Sequence, residues 1–332
     1  MAPAGRGHDF PCGRGVVGVD RTARRSGVAV GAGSTSIFTR QNDPDLLRIL
    51  QAASVAHRRA MRLASLHMAI SVLLAGLGVA GVFVSALQRP AMLLGLVWAL
   101  AYTAGARVWG AREMRRAALF QEMFDVRLLC ISWNTVVAGG EELAPQEVSR
   151  AARRYTGAES LLEDYFYEVT VLPRPLDVLA CQMQNLGWGA RIRRRYAAAV
   201  SGGLALWSVA GIGLGLARAM TVTEMLLHWF VPSLGLLLLG VDTAASQRET
   251  ASAREHAQAV LMHELRAYIR RGSPAEEAPA LLHLARQVQD TLLLTRLRQA
   301  RVPKWFFKRF QTSDRTDFVR AIQELDQLAV TP

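Results

Sequence analysis

Two long apolar stretches decide the fold of this chain. Residues 66–106 read LHMAISVLLAGLGVAGVFVSALQRPAMLLGLVWALAYTAGA, and residues 197–241 read AAAVSGGLALWSVAGIGLGLARAMTVTEMLLHWFVPSLGLLLLGV. Their only fully charged residues are Arg89 in the first stretch and Arg218 and Glu224 in the second. An apolar helix crosses a hydrocarbon core of roughly 30 Å with about 20 residues. Each stretch is therefore long enough for two membrane spans.

Each apolar stretch divides into a helical hairpin. The four predicted spans cover residues 68–87, 91–109, 197–217 and 222–241. The first pair is separated by Gln88-Arg89-Pro90, where the proline favours a turn, and the second pair by residues 218–221. The first stretch begins too far into the chain, and after too charged a segment, to be a signal peptide. We therefore predict an all-α integral membrane protein with two transmembrane hairpins.

The charges of the chain predict its orientation in the membrane. The net charge is +12, and nearly all of the basic residues are arginine. Ten of these arginines cluster at one end of the predicted hairpins, as Arg58, Arg59, Arg62, Arg112, Arg115, Arg116, Arg191, Arg193, Arg194 and Arg195. Such clusters mark the cytoplasmic side. They are not interleaved with stacking aromatic residues, so we do not expect DNA or RNA binding, which is the weaker alternative.

The predicted organisation has six parts. They are a disordered extension, for which a misassigned start codon is the alternative, a cytoplasmic helix, the first hairpin, a cytoplasmic helical middle domain, the second hairpin and a cytoplasmic helical C-terminal region. Their boundaries are residues 1–36, 37–65, 66–109, 110–196, 197–241 and 242–332. Both termini are then cytoplasmic, and little of the chain is left to face the outside.

Helix signals subdivide the polar segments. Pro44 occupies a first helical position, and Ser273-Pro274-Ala275-Glu276 has the pattern of a capping box. The other polar helices are predicted at residues 111–133, 145–155, 246–271, 274–301 and 313–328. No strand alternation is present. Residues 304–309 mix Trp and Phe with cations, which suits either the headgroup layer or packing against the middle domain.

The sequence contains no signature of an enzyme or of a metal site. The three cysteines have no CxxC spacing, so neither a disulfide framework nor a thiolate metal site is expected. No Walker A loop, HExxH or GxSxG motif is present. We expect no enzymatic activity, no catalytic residue, no metal and no cofactor.

Polar residues inside the apolar stretches are candidates for lining a pore. Ionisable groups at membrane depth are functional hypotheses by default. Helical spacing joins Glu224, His228 and Asp242 on one stripe, and similar stripes in other spans contain His67 with Ser71, and Ser208. The alternative for Glu224 is a capping box with Thr221, which would place it at the membrane edge. Gly211 and Gly215 form a GxxxG pair, which is typical of close helix packing.

Several short motifs occur in a definite order around the hairpins. They include Gln121-Glu122-Met123-Phe124-Asp125, Ser132-Trp133-Asn134, and Cys181-Gln182-Met183-Gln184-Asn185 ahead of Trp188 and Arg193, with Gln289-Asp290 and Arg296 near the end. In this order they resemble the SMODS-associated four-transmembrane effector family (S-4TM) over roughly residues 37–328. Gln182–Asn185 departs from the Gln-Arg-Thr-Asn usual there, and Gly189 replaces an Asp.

The resemblance implies a pore-forming effector of bacterial anti-phage conflict systems. Such effectors are thought to sit in the cytoplasmic (inner) membrane and to be triggered by a cyclic oligonucleotide from an adjacent nucleotidyltransferase, which kills or arrests the infected cell. Because one span rarely lines a pore alone, we expect a homo-oligomer in the lipid bilayer. The alternative is a membrane-anchored scaffold or regulatory module without pore activity. The departures from the motif leave the activating ligand open.

The motif residues are candidates for sensing the signal. They are Gln121, Glu122, Phe124, Asp125, Trp133, Asn134, Cys181, Gln182, Asn185, Trp188 and Arg193. For the acidic group on residues 121–125, a structural network with Arg193–Arg195 is the main prediction, and sensing is the alternative. Asn134 and Asn185 have either a base-reading role or a capping role. Cys181 is expected to be a packed small residue rather than a nucleophile.

A second set of residues is a candidate for holding the nucleotide itself. Arg150, Arg153, Arg154 and Tyr155 offer guanidinium groups and an aromatic ring to an anionic ligand. Solvated surface arginines would have the same appearance in the sequence.

Overall fold

The computed structural model describes residues 36–105, 110–140, 142–166, 173–298, 302–303, 305–307 and 309–310. All regular secondary structure within these residues is helical, as predicted. The predicted extension, apart from Ser36, and the predicted helix at residues 313–328 lie outside the described residues.

Ten α-helices account for most of the described residues up to Arg298. They are α1 (Ile37–Arg40), α2 (Pro44–Phe83), α3 (Ser85–Ala104), α4 (Ala111–Leu129), α5 (Thr135–Ala138), α6 (Pro145–Ala152), α7 (Leu176–Ala217), α8 (Val222–Met225), α9 (Val231–Arg270) and α10 (Ala278–Arg298). A π-helical segment, Leu226–Phe230, joins α8 to α9. Short 3₁₀ turns occur at Glu159–Leu161 and Ala275–Glu277.

Three helical segments of the described chain are long and apolar enough to cross a bilayer. They are Pro44–Phe83, Leu176–Ala217 and Val222–Arg270, with 40, 42 and 49 residues. Each is about twice the length that a membrane span needs. Each therefore continues past its apolar part as one helix into the polar part of the molecule. The chain is a membrane protein whose long helices join its apolar and polar layers.

The turn of the second hairpin lies where the sequence places it. α7 ends at Ala217 and α8 begins at Val222. The Thr221 hydroxyl accepts from the backbone N–H of Glu224, and the Glu224 carboxylate accepts from the backbone N–H of Thr221 at 2.8 Å. The predicted turn and the predicted capping box are both confirmed.

The turn of the first hairpin differs from the prediction. α2 ends at Phe83, Val84 is extended, and α3 begins at Ser85 with Pro90 inside it. The predicted turn at residues 88–90 is wrong, because the break lies at the extended Val84 and residues 88–90 already belong to α3, where Gln88 lies next to Gly81 of α2. A Cβ at Gly81 would lie 3.4 Å from the Gln88 Cα.

The shifted turn shortens the apolar part of α3. Gln88, Arg89 and Pro90 now belong to the N-terminal turns of α3, and the apolar remainder from Ala91 to Ala104 is shorter than about 20 residues. Residues 106–109 lie outside the described residues. The described residues thus contain three helices of membrane length, whereas the sequence predicts four. A fourth span remains a proposal.

The polar layer is a bundle with its own core. This polar bundle comprises the N-terminal half of α2, α4, α6, the N-terminal half of α7, the C-terminal half of α9, and α10. Its largest fully buried side chains include Phe120, Phe124, Met183, Leu261 and Leu292. Burial of such side chains stabilises the bundle by about 1.5–3 kcal/mol each.

Several predicted helix limits in the polar segments are also corrected. α4 ends at Leu129 rather than residue 133, because Cys130 adopts a left-handed conformation with φ of 50°. α9 is continuous with the preceding apolar segment, so no new helix begins at residue 246. The predicted capping box at residues 273–276 is wrong, because Ser273 has φ of 55° and α10 begins only at Ala278 after a 3₁₀ turn.

Candidate functional site

Two carboxylates are completely buried in the polar bundle. Glu122 and Asp125 lie on α4 and have no exposed surface, and the neighbouring Gln121 is also buried. An ionised carboxylate is expensive to bury unless it is paired and hydrogen-bonded. The surroundings of these two acids therefore decide whether the bundle is stable.

The partners of both carboxylates come from α10. Arg286 Nη2 lies 2.7 Å from Glu122 Oε1, and Arg296 Nη1 lies 2.6 Å from Asp125 Oδ2. Gln289 lies between the two ion pairs and donates through Nε2 to Glu122 Oε2 at 2.8 Å and to Asp125 Oδ2 at 2.9 Å. We call these residues, with Gln182, Asn134 and Asp290, the carboxylate network.

The network extends to the loop after α4. Arg286 donates to Asp290 at 2.7 Å and to the backbone carbonyl of Ser132 at 2.7 Å. Asn134 caps α5 by accepting from the backbone N–H of Val136, and its amide donates to Asp290 Oδ2 at 2.9 Å. The predicted capping role of Asn134 is confirmed, and its amide also joins the loop to α10.

α7 closes the network from the other side. Gln182 is fully buried and donates to the Ala285 carbonyl at 2.8 Å and to Gln289 Oε1 at 3.3 Å. Asn185 lies inside α7, so its predicted capping role is wrong, and its carbonyl accepts from Arg254 at 3.4 Å. Gln182 and Asn185 match the family motif, and the departures fall on Met183, which is buried in the core, and on Gln184, which donates to the Tyr165 carbonyl at 3.3 Å.

The predicted partners of the acidic group are wrong. The sequence predicts contact with Arg193–Arg195, but Arg193 donates to Gln247 on α9 at 2.7 Å. Arg194 pairs with Glu255 of the same helix, and Arg195 lies 4.7 Å from the centre of the Phe310 ring. These arginines therefore join α7 to α9 and to the end of the described chain. They lie C-terminal to the part of α7 that faces the buried carboxylates.

Burial changes the proton affinities of three groups in this region. Desolvation raises the pKa of Glu122, although Arg286 opposes the shift. Desolvation lowers the pKa of Arg296, but the Asp125 and Glu122 charges outweigh it, so its pKa lies above the ordinary value. Burial raises the pKa of the Cys181 thiol well above its usual range. A thiol held protonated is a poor nucleophile, which agrees with the predicted packing role of Cys181.

The aromatic motif residues form the surroundings of the network. Gln121 donates to the Tyr165 hydroxyl at 2.6 Å, and Phe124 packs edge-on against the same ring, with centroids 5.3 Å apart. Trp133 donates to the Gly140 carbonyl at 3.1 Å. Trp188 packs against Phe307, with centroids 6.5 Å apart. The last contact favours the packing alternative for the aromatic segment near residue 306.

Three polar candidates in the apolar layer come together. His67 and Ser71 on α2 are buried, and Trp98 on α3 donates to Ser71 Oγ at 2.9 Å. Tyr102 on α3 packs edge-on against His67 and donates to Asp242 on α9 at 3.3 Å. The sequence stripes of α2 and α9 thus meet, and side chains of α3 that were not predicted join them. A Trp and a Tyr one helical turn apart are the signal for this contact.

The remaining pore candidates lie apart from that cluster. Glu224 is exposed at the start of α8, and His228 lies in the π-helical segment. The Ser208 hydroxyl donates to the Leu204 carbonyl of its own helix at 3.0 Å. Gly211 and Gly215 admit Trp229 and Met225, since a Cβ at Gly211 would lie 2.2 Å from Trp229 Nε1. The packing interpretation of this glycine pair agrees with these contacts.

One participant in the network was missed in the sequence. Arg286 precedes Gln289 and Asp290 by one helical turn, and Arg296 follows at helical spacing in a leucine-rich helix. A stripe of polar residues at helical spacing in a leucine-rich helix would have predicted that Arg286 belongs to a buried polar network. No group of three or more His, Cys, Asp or Glu side chains with metal-binding spacing occurs in the part of the chain that the structure describes.

The fold and the site define a class: an all-helical membrane protein whose membrane-length helices are tied together by a buried polar network. The profile of the SMODS-associating 4TM effector domain matches residues 35–325, so the chain belongs to this family. It is also 20% identical over 293 residues to a protein of Bacillus cereus (strain VD146) named a "probable CBASS effector molecule". That alignment covers 84% of this chain and 94% of the relative. No solved structure matches.

Proposed function

We propose that the chain is a pore-forming effector that permeabilises the inner membrane of an infected bacterium on receipt of a cyclic-oligonucleotide signal. Membership of the SMODS-associating 4TM effector family supports the effector role, and the CBASS effector relative supports the signalling context. The proposal places the polar bundle and both termini in the cytoplasm. It also keeps the segment at residues 91–109, predicted from the sequence, as the fourth span.

The observation that carries the proposal is the continuity of three helices through both layers. α2, α7 and α9 each run without a break from the polar bundle into the apolar layer. A rigid helix transmits a displacement at one end to the other. Rearrangement of the bundle by a ligand would therefore move three apolar segments at once.

The carboxylate network is the proposed latch of the closed state. Its ion pairs fix α4 to α10, and Gln182 fixes α7 to the same helix. Separating a buried carboxylate from its arginine would leave an uncompensated charge, which is strongly destabilising. The network therefore favours one arrangement of these helices over others. An activating ligand must bind the open assembly better than the closed one, because equal affinity shifts no population.

Packing within one chain favours a pore made by several copies. Close contacts fill the apolar layer, as at Gly78, where a Cβ would lie 2.6 Å from Pro232 Cβ. In contrast, α7 exposes Leu206, Val209 and Leu216 on its outer face. We propose a homo-oligomer whose conducting path lies between copies, with Glu224 and His228 near one mouth.

Membrane potential in living cells tests the proposal. The chain is expressed together with a nucleotidyltransferase that makes cyclic oligonucleotides, and a potential-sensitive dye reports depolarisation. We expect depolarisation with the active nucleotidyltransferase and none with an inactive variant of that enzyme. Cells that stay polarised while the signal is being made would refute pore formation.

The alternative of a membrane-anchored scaffold keeps one specific observation in its favour. The buried Arg, Glu, Asp and Gln side chains of the carboxylate network bond to one another and do not line a channel. A scaffold would bind a partner protein without ever conducting. Reconstitution of the purified chain in liposomes with the signal separates the two, because a scaffold alone releases no entrapped dye.

A further inference from the structure

A cleft lined by arginines lies in the polar bundle, and none of its lining residues belongs to the carboxylate network. Its walls come from α2, α4 and α6, and its volume is about 130 Å³. The polar lining consists of four arginines and two glutamates: Arg59, Arg116, Arg150, Arg154, Glu113 and Glu147. The cleft is therefore positively charged on balance. Val55 and Phe120 are among its apolar lining residues.

The two glutamates already occupy two of the arginines. Arg116 Nη2 lies 2.5 Å from Glu147 Oε1 and joins α4 to α6. Arg59 Nη1 lies 3.8 Å from Glu113 Oε1 and joins α2 to α4. Arg150 and Arg154, both exposed on and just after α6, have no ion-pair partner among the described residues. The cleft thus has two half-buried arginines that already hold carboxylates and two that are available to a further anion.

We propose that this cleft binds a phosphate group of an anionic ligand, of the phosphodiester class found in cyclic oligonucleotides and in lipid headgroups. Arginine matches phosphate geometry with paired N–H donors, and several arginines converging on one cleft provide more than a single surface charge does. Pockets for whole ligands measure roughly 300–1,000 Å³, so this cleft seats one phosphate group rather than a nucleotide. The rest of the ligand would lie over Arg150 and Arg154.

The contacts of Tyr155 beside the cleft indicate which part of the ligand is recognised. Tyr155 is not a free stacking platform, because Arg58 lies 5.7 Å from its ring centre and its hydroxyl donates to the Ala158 carbonyl at 3.0 Å. Recognition would therefore depend on phosphate charge more than on base stacking. The affinity is expected to fall steeply with salt, since exposed charges are screened within about 10 Å at 0.1 M.

The position of the cleft connects binding to the membrane. α2 contributes Arg59 and continues to Phe83, while Arg116 lies on α4 and Arg150 on α6. A phosphate held by all three helices would compete with Glu147 for Arg116 and alter the contact between α4 and α6. If the phosphate belongs to a cyclic oligonucleotide, this step is the signal input, and in that respect the inference rests on the proposed function.

The test measures binding by the full chain, without conduction. The chain is placed in nanodiscs of phosphatidylcholine, and equilibrium dialysis reports binding of inorganic pyrophosphate and of a panel of cyclic di- and trinucleotides. A second arm replaces 30% of the lipid, on the order of a typical anionic fraction, with phosphatidylglycerol and follows the shift in thermal midpoint. Arg150→Glu/Arg154→Glu removes the two available arginines. Arg48→Glu/Arg153→Glu is the matched control, with the same charge change at exposed positions outside the cleft.

We expect the cleft variant to weaken binding of at least one probe by about tenfold or more, while the matched control stays within about twofold. Glu147→Gln should strengthen the same binding, because its carboxylate no longer competes for Arg116. An effect on the nucleotides identifies a nucleotide as the source of the phosphate, and an effect only in the phosphatidylglycerol arm identifies lipid. Equal losses in the cleft variant and the control would mean general charge attraction and would overturn the proposal. So would an absence of any difference between them with every probe.

The outcome is distinct from that of the pore experiment. A chain that depolarises cells but shows no cleft-dependent binding refutes this site and leaves the proposed function intact. A chain that binds through the cleft but never depolarises cells refutes pore formation and leaves the site intact.

Discussion

At the scale of single residues, the most consequential groups are the two carboxylates with no solvent exposure. Asp125 and Glu122 would be strongly destabilising alone, and each is offset by an arginine of α10 and by the shared amide of Gln289. Arg298 makes a similar pair with Glu249, but both side chains are more than half exposed. Since exposed pairs contribute roughly 0–1 kcal/mol, the same chemistry has very different weight at the two sites.

Replacing Arg296 should destabilise the polar bundle. Arg296→Met leaves Asp125 buried without its ion pair, which costs about 3–5 kcal/mol. The thermal midpoint of the purified protein in detergent measures the effect. Arg298→Met, on the same helix, is the control and should change the midpoint little. Adding Asp125→Asn to Arg296→Met should recover part of the loss, and a failure to recover any would show that the charge is not the cause.

At the scale of helices, the apolar layer is held by positions where a side chain would not fit. At Gly95 on α3, a Cβ would lie 2.5 Å from the Cα of Pro232 and 2.8 Å from the Val231 carbonyl oxygen. These are backbone atoms, which cannot move aside as a flexible side chain does. Gly213 on α7 has nothing within 4 Å of its Cβ position. The two glycines therefore differ in their tolerance of substitution, although both lie in apolar helices.

Gly95→Ala should weaken the contact between α3 and α9. Overpacking of this kind costs about 1–3 kcal/mol, and we expect a lower thermal midpoint in detergent. Gly213→Ala, the matched control, should leave the midpoint unchanged or raise it slightly, because alanine favours helix by about 0.5–1 kcal/mol over glycine. If both variants behave alike, the close approach of α3 to Pro232 is not a stabilising contact.

At the scale of the whole molecule, the arrangement of charge predicts how the chain sits in the bilayer. The arginine-rich parts of α2, α4 and α7 lie on the polar side of their apolar segments, whereas Arg89 and Arg218 lie near the hairpin turns at the other end. Arg218 also donates to the Val82 carbonyl at 3.2 Å, which joins the two hairpins at that end. This separation favours a cytoplasmic bundle with external turns.

Cysteine accessibility tests the orientation in intact cells. In a background in which Cys12, Cys130 and Cys181 are replaced, Arg89→Cys and Arg218→Cys should react with a membrane-impermeant maleimide. Arg153→Cys, exposed on the polar bundle, should react only after the membrane is permeabilised. The reverse pattern would contradict the positive-inside assignment and with it the cytoplasmic placement of the bundle.

The two hairpin turns differ in how well they can be predicted from the residues around them. Residues 218–221 contain a polar break and a capping box, so the turn between α7 and α8 could be read from the chain. The turn at Val84 has no such signature in the residues around it. The end of α4 is likewise not predictable from the sequence, because Cys130 adopts a left-handed conformation without a glycine or asparagine to favour it.

The sequence by itself determined the membrane class, the all-helical character, the turn of the second hairpin and the family, and it singled out the polar group on residues 121–125. Hydropathy, helix signals and the order of motifs are properties of neighbouring residues, so they can be read from the sequence without the fold. Only the tertiary structure decided which charges meet. Glu122 pairs with Arg286, 164 positions away, rather than with the nearer Arg193–Arg195. The arginine cleft likewise collects side chains from three separate helices. Pairing across such distances follows from how helices pack, because a buried charge must find its partner wherever the folded chain places one.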